Sequence, residues 1–490
     1  MSIALAEQQQ GHHHQEKPFT IWTAMGVGHS ITNTAITIVA GLASSVALGG
    51  APLLIYGFLA MALVAVCVAI TLGELSSAFP HSGGQYYWVS VLAPSSCKRL
   101  LSYVTGIVGW AGALCTAASV CLVVPIMVFS MVSLADPTFE YKPWMGFVGY
   151  QITNLLTFTF NLFERCLPWV SRSLLCFTIV TITILFVSLL SASPEKQTAE
   201  NLFVNLYNIS GWPDGVAFLI GLNAPNWGFS CLDATVHLAN EIPHPARNIP
   251  KALLVTVALG AFTGVLTTIA LFLSAPDLES VVTAASPSLE ILYIAYRQNT
   301  GAAIAMQCLI TISAAGAIIG VHTWQSRIAL AFSRDKGFPF HKYLSQVAPE
   351  PFGTPIWAHV WSCAWVSLLG CIYLGSQLAF NSLVSGGILL QYMTYSASAL
   401  CLLSYGRSKI TPGPFWFPKA GYVANIITIL WTFFSLVIYC FPSYTPVQAD
   451  QMNYVSCVIV GVLLYALAYW VLYGRREFQM PQPEVYDHVE

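Results

Sequence analysis

A single acidic residue, Asp233, lies near the middle of a long apolar stretch that extends from residue 215 to residue 240. A carboxylate at the centre of a bilayer costs about 2.5–3.5 kcal/mol on insertion scales, so such residues usually serve a function. The residues around it weaken a helix, namely Asn223, Pro225, Asn226, Gly228 and Ser230. An acid beside an interrupted helix is typical of a site where exposed backbone meets a small polar solute. We therefore predict a site in which Asp233 pairs with a cation or carries a proton.

Two further groups of charged or titratable residues accompany this acid. His237 follows Asp233 by one helical turn, so the two side chains can share a proton. The alternative is structural: Asp233 accepts a hydrogen bond from Ser or Thr on another helix, and His237 is a buried histidine with satisfied hydrogen bonds. Glu74 ends an earlier apolar stretch. We predict that it anchors a gate through Arg247 or Arg327, the alternative being simple placement at the membrane interface.

The composition indicates a polytopic membrane protein. Only 8% of the residues are charged and 56% are hydrophobic, whereas a soluble chain carries about 25% charged residues. The net charge of −2 identifies no partner, and nothing supports nucleic-acid binding. The thirteen cysteines form no CxxC pair. We interpret them as small buried hydrophobic residues and predict neither disulfides nor a metal site.

The apolar stretches predict twelve membrane spans, because about 20 apolar residues are needed to cross the hydrocarbon core. They cover residues 21–47, 52–73, 102–134, 145–163, 170–192, 215–240, 252–274, 301–332, 355–375, 382–405, 420–441 and 453–473. With both termini in the cytoplasm, sixteen Lys and Arg residues fall inside and only Lys142, Lys196 and Arg297 fall outside, as the positive-inside rule requires. The motif Asn208-Ile209-Ser210 then lies in an outside loop, where Asn208 is predicted to be glycosylated.

The first span resembles the sixth in its interruption. Residues 24–37 read AMGVGHSITNTAIT, with two glycines and a cluster of small polar residues. Paired interrupted helices five spans apart indicate an inverted-repeat transporter. We therefore predict a first repeat over 20–192, a second repeat over 215–405 and two appended helices within 420–473. The termini are predicted to be cytoplasmic tails over 1–19 and 474–490, the latter disordered after Arg476.

Four segments resemble the amino acid–polyamine–organocation superfamily, in particular its fungal choline and GABA permease group. They are GELSSAFPHSGGQYYW (residues 73–88), FSCLDATVHLANEIPHPARNIPKA (229–252), HTWQSRIALAFSRDKGFP (322–339) and GPFWFPKAGYVANIITILWTFFSLV (413–437). The resemblance covers nearly the whole chain, about residues 20–478. It implies an all-α membrane protein with the leucine-transporter fold, in which helices 1 and 6 are broken. It also implies alternating access and proton-driven uptake across the plasma membrane.

The resemblance also implies a set of substrate-binding residues, because in this family the two breaks hold the substrate. The matching positions are Gly26, Gly28, His29, Ser30, Thr32, Asn33, Trp227, Gly228, Phe229, Ser230, Cys231 and Asp233, with Trp324, Trp110 and Tyr392 as further walls. Trp227 and Phe229 can hold an amine through cation–π contact. The first break lacks the GxG followed directly by Ile-Phe that amino acid transporters have, since His29 and Ser30 follow Gly28; this departure favours a substrate without a carboxylate.

These observations predict a secondary transporter of choline or a related small amine, with no cofactor other than a co-transported proton. The alternatives are a permease for GABA or another amino acid, and a transporter of a specialised alkaloid or amine. A membrane enzyme is disfavoured because HExxH, GxSxG and GxxxxGK[ST] motifs are absent from the sequence. A nutrient receptor with this fold usually has a long cytoplasmic tail, which the chain lacks. The oligomeric state is not predicted.

Overall fold

The computed structural model describes residues 20–284, 286–448 and 452–484. The predicted N-terminal tail over 1–19 and the last six residues of the C-terminal tail lie outside these ranges. Within them the chain forms helices and connecting turns, without a β-strand. The α-helices are α1 (Ile21–Thr32), α2 (Thr34–Ala78), α3 (Gln85–Leu92), α4 (Lys98–Ala135), α5 (Pro143–Phe160), α6 (Leu167–Ala192), α7 (Ala199–Phe203), α8 (Asp214–Gly221), α9 (Asn223–Trp227), α10 (Pro245–Leu273), α11 (Leu278–Thr283), α12 (Pro287–Ala295), α13 (Thr300–Arg334), α14 (His341–Leu344), α15 (Ile356–Gly375), α16 (Gln377–Tyr405), α17 (Ala420–Ile438), α18 (Val455–Tyr469) and α19 (Arg475–Glu477).

In the described part of the chain, nine helices are long and apolar enough to cross a membrane. Each overlaps one predicted span. The remaining three predicted spans coincide with α5, which has 18 residues, and with two interrupted segments. The first interrupted segment comprises α1 and the beginning of α2, as far as Gly49 and Gly50, where the backbone of α2 departs from helical geometry. The second comprises α8, α9 and the 3-10 helix Leu232–Leu238. Gly50 has a φ of 61°, a conformation that glycine adopts without strain.

The helices pack so that the interrupted segments lie inside the bundle. α10 packs along α2, while α4 packs against both α13 and α16. The segment α8–α9 also contacts α2. Consequently most side chains near the two interruptions are buried, at residues 23–42 and 220–239, and their polar groups must find partners within the protein.

The two ends of the helical bundle form two opposite faces, which carry different turns and loops. One face, which we call the closed face, carries the turns at 79–84, 239–244, 335–340 and 406–419 together with residues 478–484. The opposite face, which we call the open face, carries the segments at 193–213, 274–284, 286–299, 439–448 and 452–454, which include the short helices α7, α11 and α12. Residues 478–484 are ordered against the bundle, and Phe478 is only 1% exposed. The prediction of a tail that is disordered after Arg476 is therefore wrong for this part.

Candidate functional site

The first interruption lies between α1 and α2, at Asn33. Its backbone is left-handed, with φ 37° and ψ 48°, a conformation that asparagine adopts more readily than most residues. The side-chain amide of Asn33 donates to the carbonyl of Ser313, 3.1 Å away on α13. The hydroxyl of Ser313 lies 2.6 Å from that of Thr178 on α6. These contacts hold the break against two helices that are distant in sequence.

The second interruption follows α9. Residues 228–230 are not α-helical, Cys231 is left-handed with φ 64°, and the 3-10 helix Leu232–Leu238 continues the segment. The backbone N–H of Cys231 donates to Gln391 Oε1 on α16 over 2.7 Å, and Gln391 Nε2 donates to Thr116 Oγ1 on α4 over 3.0 Å. Gln391 thus supplies the acceptor that the interrupted helix no longer provides.

The two interruptions meet at a narrow cavity of about 30 Å³. It is lined by both breaks and by α4 and α13, and the predicted site residues found there are Thr32, Asn33, Trp227, Ser230 and Cys231. A second cavity of about 460 Å³ adjoins it and leads to the open face past Ser286, Ser288 and Asn453. Trp227, Ala40 and Val123 line both cavities. The larger cavity therefore has room for a small organic solute beside Trp227.

The lining of both cavities is mostly apolar, with several polar groups and no charged side chain. Its hydrogen-bonding side chains include Thr32, Asn33, Thr116, Ser119 and Asn223. Neither lining contains an acidic or basic side chain. The C-terminal end of α1 and the N-terminal end of α2 both border the narrow cavity, so opposite ends of two helix dipoles meet there. The ring of Trp227, which lines both cavities, suits a cation better than an anion.

Several predicted site residues lie outside both cavities. Gly28 packs so closely that an added methyl group would lie 2.5 Å from Thr256 Oγ1. Phe229 packs against Phe58 with a centroid separation of 4.8 Å, as in an ordinary core contact. The other predicted residues that line neither cavity are Gly26, His29, Ser30, Gly228, Asp233 and Trp324. Trp110 and Tyr392, which were predicted as further walls of the substrate site, also line neither cavity. Trp110 Nε1 donates to Ser362 Oγ, and the hydroxyl of Tyr392 donates to Asn226 Oδ1.

Asp233 belongs to a buried network on the closed-face side of the second break. It is 2% exposed. Its Oδ1 accepts from the hydroxyl of Tyr395 over 2.7 Å, and its Oδ2 accepts from Gln85 Nε2 over 3.0 Å. His237 Nε2 lies 3.3 Å from the same Oδ2, and His237 Nδ1 lies 2.9 Å from the carbonyl oxygen of Ser82. The carboxylate partners are therefore Tyr and Gln rather than the Ser or Thr of the structural alternative.

The geometry of this pair requires a proton between Asp233 and His237. The carbonyl of Ser82 can only accept, so Nδ1 of His237 carries a hydrogen. A neutral imidazole would then present a bare Nε2 to the carboxylate oxygen, and two acceptors would face each other at 3.3 Å. One additional proton, on either the imidazole or the carboxyl group, turns this contact into a hydrogen bond. The contact is therefore a hydrogen bond only when the pair carries one proton more than a neutral imidazole and a carboxylate.

The predicted gating partners of Glu74 are wrong. Glu74 is fully buried and receives two hydrogen bonds from Arg407, of 2.7 and 2.9 Å, and one from the backbone N–H of Phe417. Arg247 is exposed instead. Arg327 pairs with Glu241 in the turn after the 3-10 helix, with Nε 2.8 Å from Oε1. The sequence could not distinguish these pairings because several basic residues lie in loops of the same face.

The C-terminal residues complete the closed face. The carboxylate of Glu484 accepts from the backbone N–H and hydroxyl of Ser82 and from Asn240 Nδ2. It thereby joins the turn before α3 to the end of the interrupted segment. Nearby, Tyr86 donates to Asp335 over 2.8 Å. Burial raises the pKa of Asp335 to about 7, so this carboxyl is partly protonated at neutral pH.

Sequence reasoning missed three residues that organise the site, namely Gln391, Tyr395 and Gln85. Gln391 and Tyr395 are one turn apart on α16, and Thr394 and Ser398 extend a buried polar stripe there. A polar stripe on a membrane helix usually faces the interior of the bundle, so this signal was available. Gln85 had a weaker signal, its position directly after Gly83-Gly84.

Replacing Gln391 with leucine is expected to lower stability by about 1–3 kcal/mol, because the buried N–H of Cys231 loses its acceptor. The thermal unfolding midpoint of the purified protein in detergent measures this effect. The matched control is Gln307→Leu on α13, which is also fully buried but whose amide atoms have no hydrogen-bond partner. That change should leave stability equal or higher. Equal midpoints for wild type and Gln391→Leu would show that Gln391 does not support the break.

A bundle of membrane-length helices with an uncharged cavity between two interrupted helices is the arrangement expected of a membrane transporter. The amino acid permease family matches residues 19–464, and the chain belongs to this family. It is therefore a multi-pass membrane permease and not an enzyme.

Three relatives align with almost the entire chain. A transmembrane transporter of Metarhizium robertsii is 43% identical over 95% of this chain and 93% of its own length. A swainsonine transporter of Arthroderma benhamiae is 42% identical over 95% of this chain and 92% of its own length. The choline transporter of Saccharomyces cerevisiae is 39% identical over 96% of this chain and 83% of its own length.

Proposed function

We propose that the protein takes up choline or a related small amine across the plasma membrane by alternating access, in symport with protons. The observation that carries this proposal is the cavity where the two interrupted helices meet. It is mostly apolar, lacks charged side chains and has Trp227 as its aromatic wall. A quaternary or protonated amine can bind there through the ring face, with its apolar groups against the apolar lining.

The proposed architecture has twelve spans, with helices 1–5 and 6–10 as inverted repeats and helices 11 and 12 appended. Nine spans are the long apolar helices. The other three are α5, the segment from α1 to Gly50 and the segment from α8 to the 3-10 helix Leu232–Leu238. Both interrupted segments are first in their repeats, and both reverse to left-handed backbone at one residue, Asn33 and Cys231. This correspondence supports the repeat.

The proposed orientation places both termini and the closed face in the cytoplasm. The distribution of Lys and Arg supports it. The conformation is then outward-facing, since the larger cavity reaches the open face. On the cytoplasmic side, the ion pair of Arg327 with Glu241 and the contacts of Glu484 bridge the end of the second break to neighbouring elements. Inward opening requires these contacts to separate.

The proposed proton carrier is the pair of Asp233 and His237. The pair lies on the cytoplasmic side of the cavity and holds one exchangeable proton in the outward-facing state. Its partners Ser82 and Gln85 belong to the turn and helix after α2. Movement of that turn away from the 3-10 helix would remove the acceptor of His237 and admit water. The proton can then leave towards the cytoplasm, which couples release to opening.

Two other substrate classes are candidates. Swainsonine is one, because the Arthroderma relative is named for it and is slightly more similar to this chain than the choline transporter. It represents the alternative of a specialised alkaloid or amine. GABA or another amino acid is the other. The absence of Ile-Phe after Gly28 at the first break disfavours it.

The substrate is tested by competition uptake in a host that lacks its own permeases. Radiolabelled choline is the probe, with ethanolamine, GABA, arginine, putrescine and swainsonine as unlabelled competitors. We expect choline uptake that ethanolamine reduces and GABA does not. Uptake of labelled GABA without uptake of choline would identify an amino acid permease instead. Uptake of swainsonine alone would assign the second candidate.

Proton coupling predicts that uptake increases as the external pH falls from 7.5 to 5.5 and stops when a protonophore collapses the gradient. Initial rates of choline uptake measure both effects, and replacement of external sodium with potassium is the control. Uptake that survives the protonophore but requires sodium would contradict proton symport. Uptake that requires neither gradient would indicate a passive carrier.

A further inference from the structure

A second cluster of reactive side chains lies away from the cavities, between α13 and α15. His322 of α13 and His359 and Cys363 of α15 place their ligand atoms within 4.8 Å of one another. Their exposures are 0%, 2% and 8%. The sequence analysis predicts no metal site, because the two histidines are 37 positions apart and only the fold brings them together.

The two sulfur–nitrogen distances in this cluster are those of ligands around one metal ion, and the histidine nitrogens lie within 4.8 Å of each other. Cys363 Sγ lies 3.7 Å from His322 Nδ1 and 3.6 Å from His359 Nδ1. Metal–sulfur and metal–nitrogen bonds of about 2.3 and 2.05 Å place S and N about 3.6 Å apart at a tetrahedral angle and about 3.8 Å apart at a trigonal angle. An ion can therefore enter with small adjustments of the side chains.

Neighbouring residues orient His359 and Cys363 for coordination of a metal ion. His359 Nε2 lies 3.3 Å from the carbonyl of Phe158. A carbonyl only accepts, so Nε2 carries the hydrogen and Nδ1 presents its lone pair towards Cys363. A backbone carbonyl on the second nitrogen is the usual outer partner of a metal-bound histidine. The ring of Phe158 stacks on His359 at 4.4 Å and fixes its orientation. Gln325 Nε2 donates to Cys363 Sγ over 3.7 Å, which stabilises a thiolate.

The burial of the three side chains favours a monovalent over a divalent ion. Two neutral imidazoles and one thiolate carry a charge of −1, so a monovalent ion gives a neutral site and a divalent ion leaves one positive charge. An uncompensated charge in a dry interior is costly. Thiolate and imidazole are also ligands that copper(I) prefers. Binding of Cu⁺ with release of the thiol proton leaves the total charge of the site unchanged.

We propose that His322, His359 and Cys363 bind one Cu⁺ ion, which links α13 to α15. This site is separate from the substrate cavity and does not depend on the proposed function. The ion bridges two helices of the bundle at its core, so it stabilises their packing. Among the described residues, no other His, Cys, Asp or Glu belongs to this cluster.

The experiment measures metal bound to the purified protein. The wild type in detergent is stripped with a chelator, incubated with Cu⁺ under ascorbate or with Zn²⁺, freed of excess metal by gel filtration and analysed by elemental mass spectrometry. Cys363→Ala is the test variant. Cys371→Ala is the matched control, since Cys371 is exposed two turns further along α15. We expect one copper per chain in wild type and control, none in Cys363→Ala, and a higher thermal midpoint only where copper binds.

The outcomes are distinct. Absence of copper from the wild type, or equal copper in Cys363→Ala, would overturn the proposal. Zinc bound at one per chain in place of copper would overturn the charge argument and the assignment of a monovalent ion. If Cys363→Ala does not fold, X-ray absorption at the copper edge of the wild type decides. One sulfur and two nitrogen neighbours support the site, and any other set of ligands refutes it.

Discussion

Replacing Asp233 with asparagine is expected to abolish uptake of choline while the protein still reaches the membrane. Asparagine has nearly the same shape, and its single oxygen can still accept from Tyr395, whose hydroxyl lies 2.7 Å from Oδ1. Its Nδ2 then replaces Oδ2, so the hydrogen bond from Gln85 is lost, but Nδ2 can donate to a neutral His237. Asparagine cannot share a proton with His237. Transport coupled to that proton should therefore fall below detection, whereas folding should be largely preserved. Initial rates of uptake and the amount of protein at the cell surface measure the two effects.

Two further variants distinguish the loss of the shared proton from the loss of a hydrogen bond to Asp233. Tyr395→Phe removes the donor to Oδ1 and leaves the carboxyl group, so it should reduce uptake without abolishing it. Glu140→Gln changes an exposed carboxyl group between α4 and α5 and should have no effect. Uptake at the wild-type rate in Asp233→Asn would reject the assignment of Asp233 as proton carrier. So would a loss of uptake fully explained by a loss of surface protein.

Replacing Trp227 with alanine is expected to raise the KM for choline about 5- to 30-fold. A cation over an aromatic face that is partly removed from water gains about 1–2 kcal/mol, and 1.4 kcal/mol corresponds to a factor of ten in affinity. Trp227 is half-buried and lines both cavities. The maximal rate at saturating choline should change less than KM. The concentration dependence of choline uptake measures both quantities.

The ring itself is tested by Trp227→Phe, which keeps an aromatic face and should recover much of the affinity. Trp169→Ala removes a tryptophan that is 72% exposed on the outer surface of α6, and it should leave KM unchanged. An unchanged KM in Trp227→Ala would remove the aromatic wall from the proposed site. Equal losses in both alanine variants would point to a general effect of removing tryptophan.

The positions of the two interruptions could be predicted from the sequence. Clusters of Gly, Asn, Ser and Pro inside an apolar stretch disfavour a continuous helix, and both clusters coincide with left-handed residues at Asn33 and Cys231. Apolar length likewise located the nine long helices. The positions of the breaks and of the long helices are local properties, because each depends on the residue types within one stretch of sequence.

The partners across the bundle could not be predicted in this way. Periodicity does not specify that Gln391 accepts from Cys231, that Arg407 pairs with Glu74, or which way Phe229 faces. Each depends on how distant helices pack. For the same reason, Asp233 was expected in the substrate site but lies in a network behind it, two residues beyond Cys231. Its neighbours come from α3 and α16.

The position of Asp233 separates two roles that the sequence analysis joined. In the proposed function the cavity holds a cationic solute through neutral groups, while the buried pair holds the proton. A substrate cation and a proton then need not compete for one carboxylate. The second interruption connects the two sites, because Ser230 and Cys231 line the cavity and Asp233 follows them in the same segment.

Protection of an introduced cysteine by substrate tests the central claim most directly, namely that a small amine binds beside Trp227 where the two breaks meet. Val123 lines both cavities, and Val123→Cys can be labelled from outside with a membrane-impermeant thiol reagent. Glu140→Cys, on an outer loop, is the control, and unmodified protein measures the background. We predict that choline slows labelling at residue 123 and leaves residue 140 unaffected. Equal labelling at residue 123 with and without saturating choline would contradict the claim.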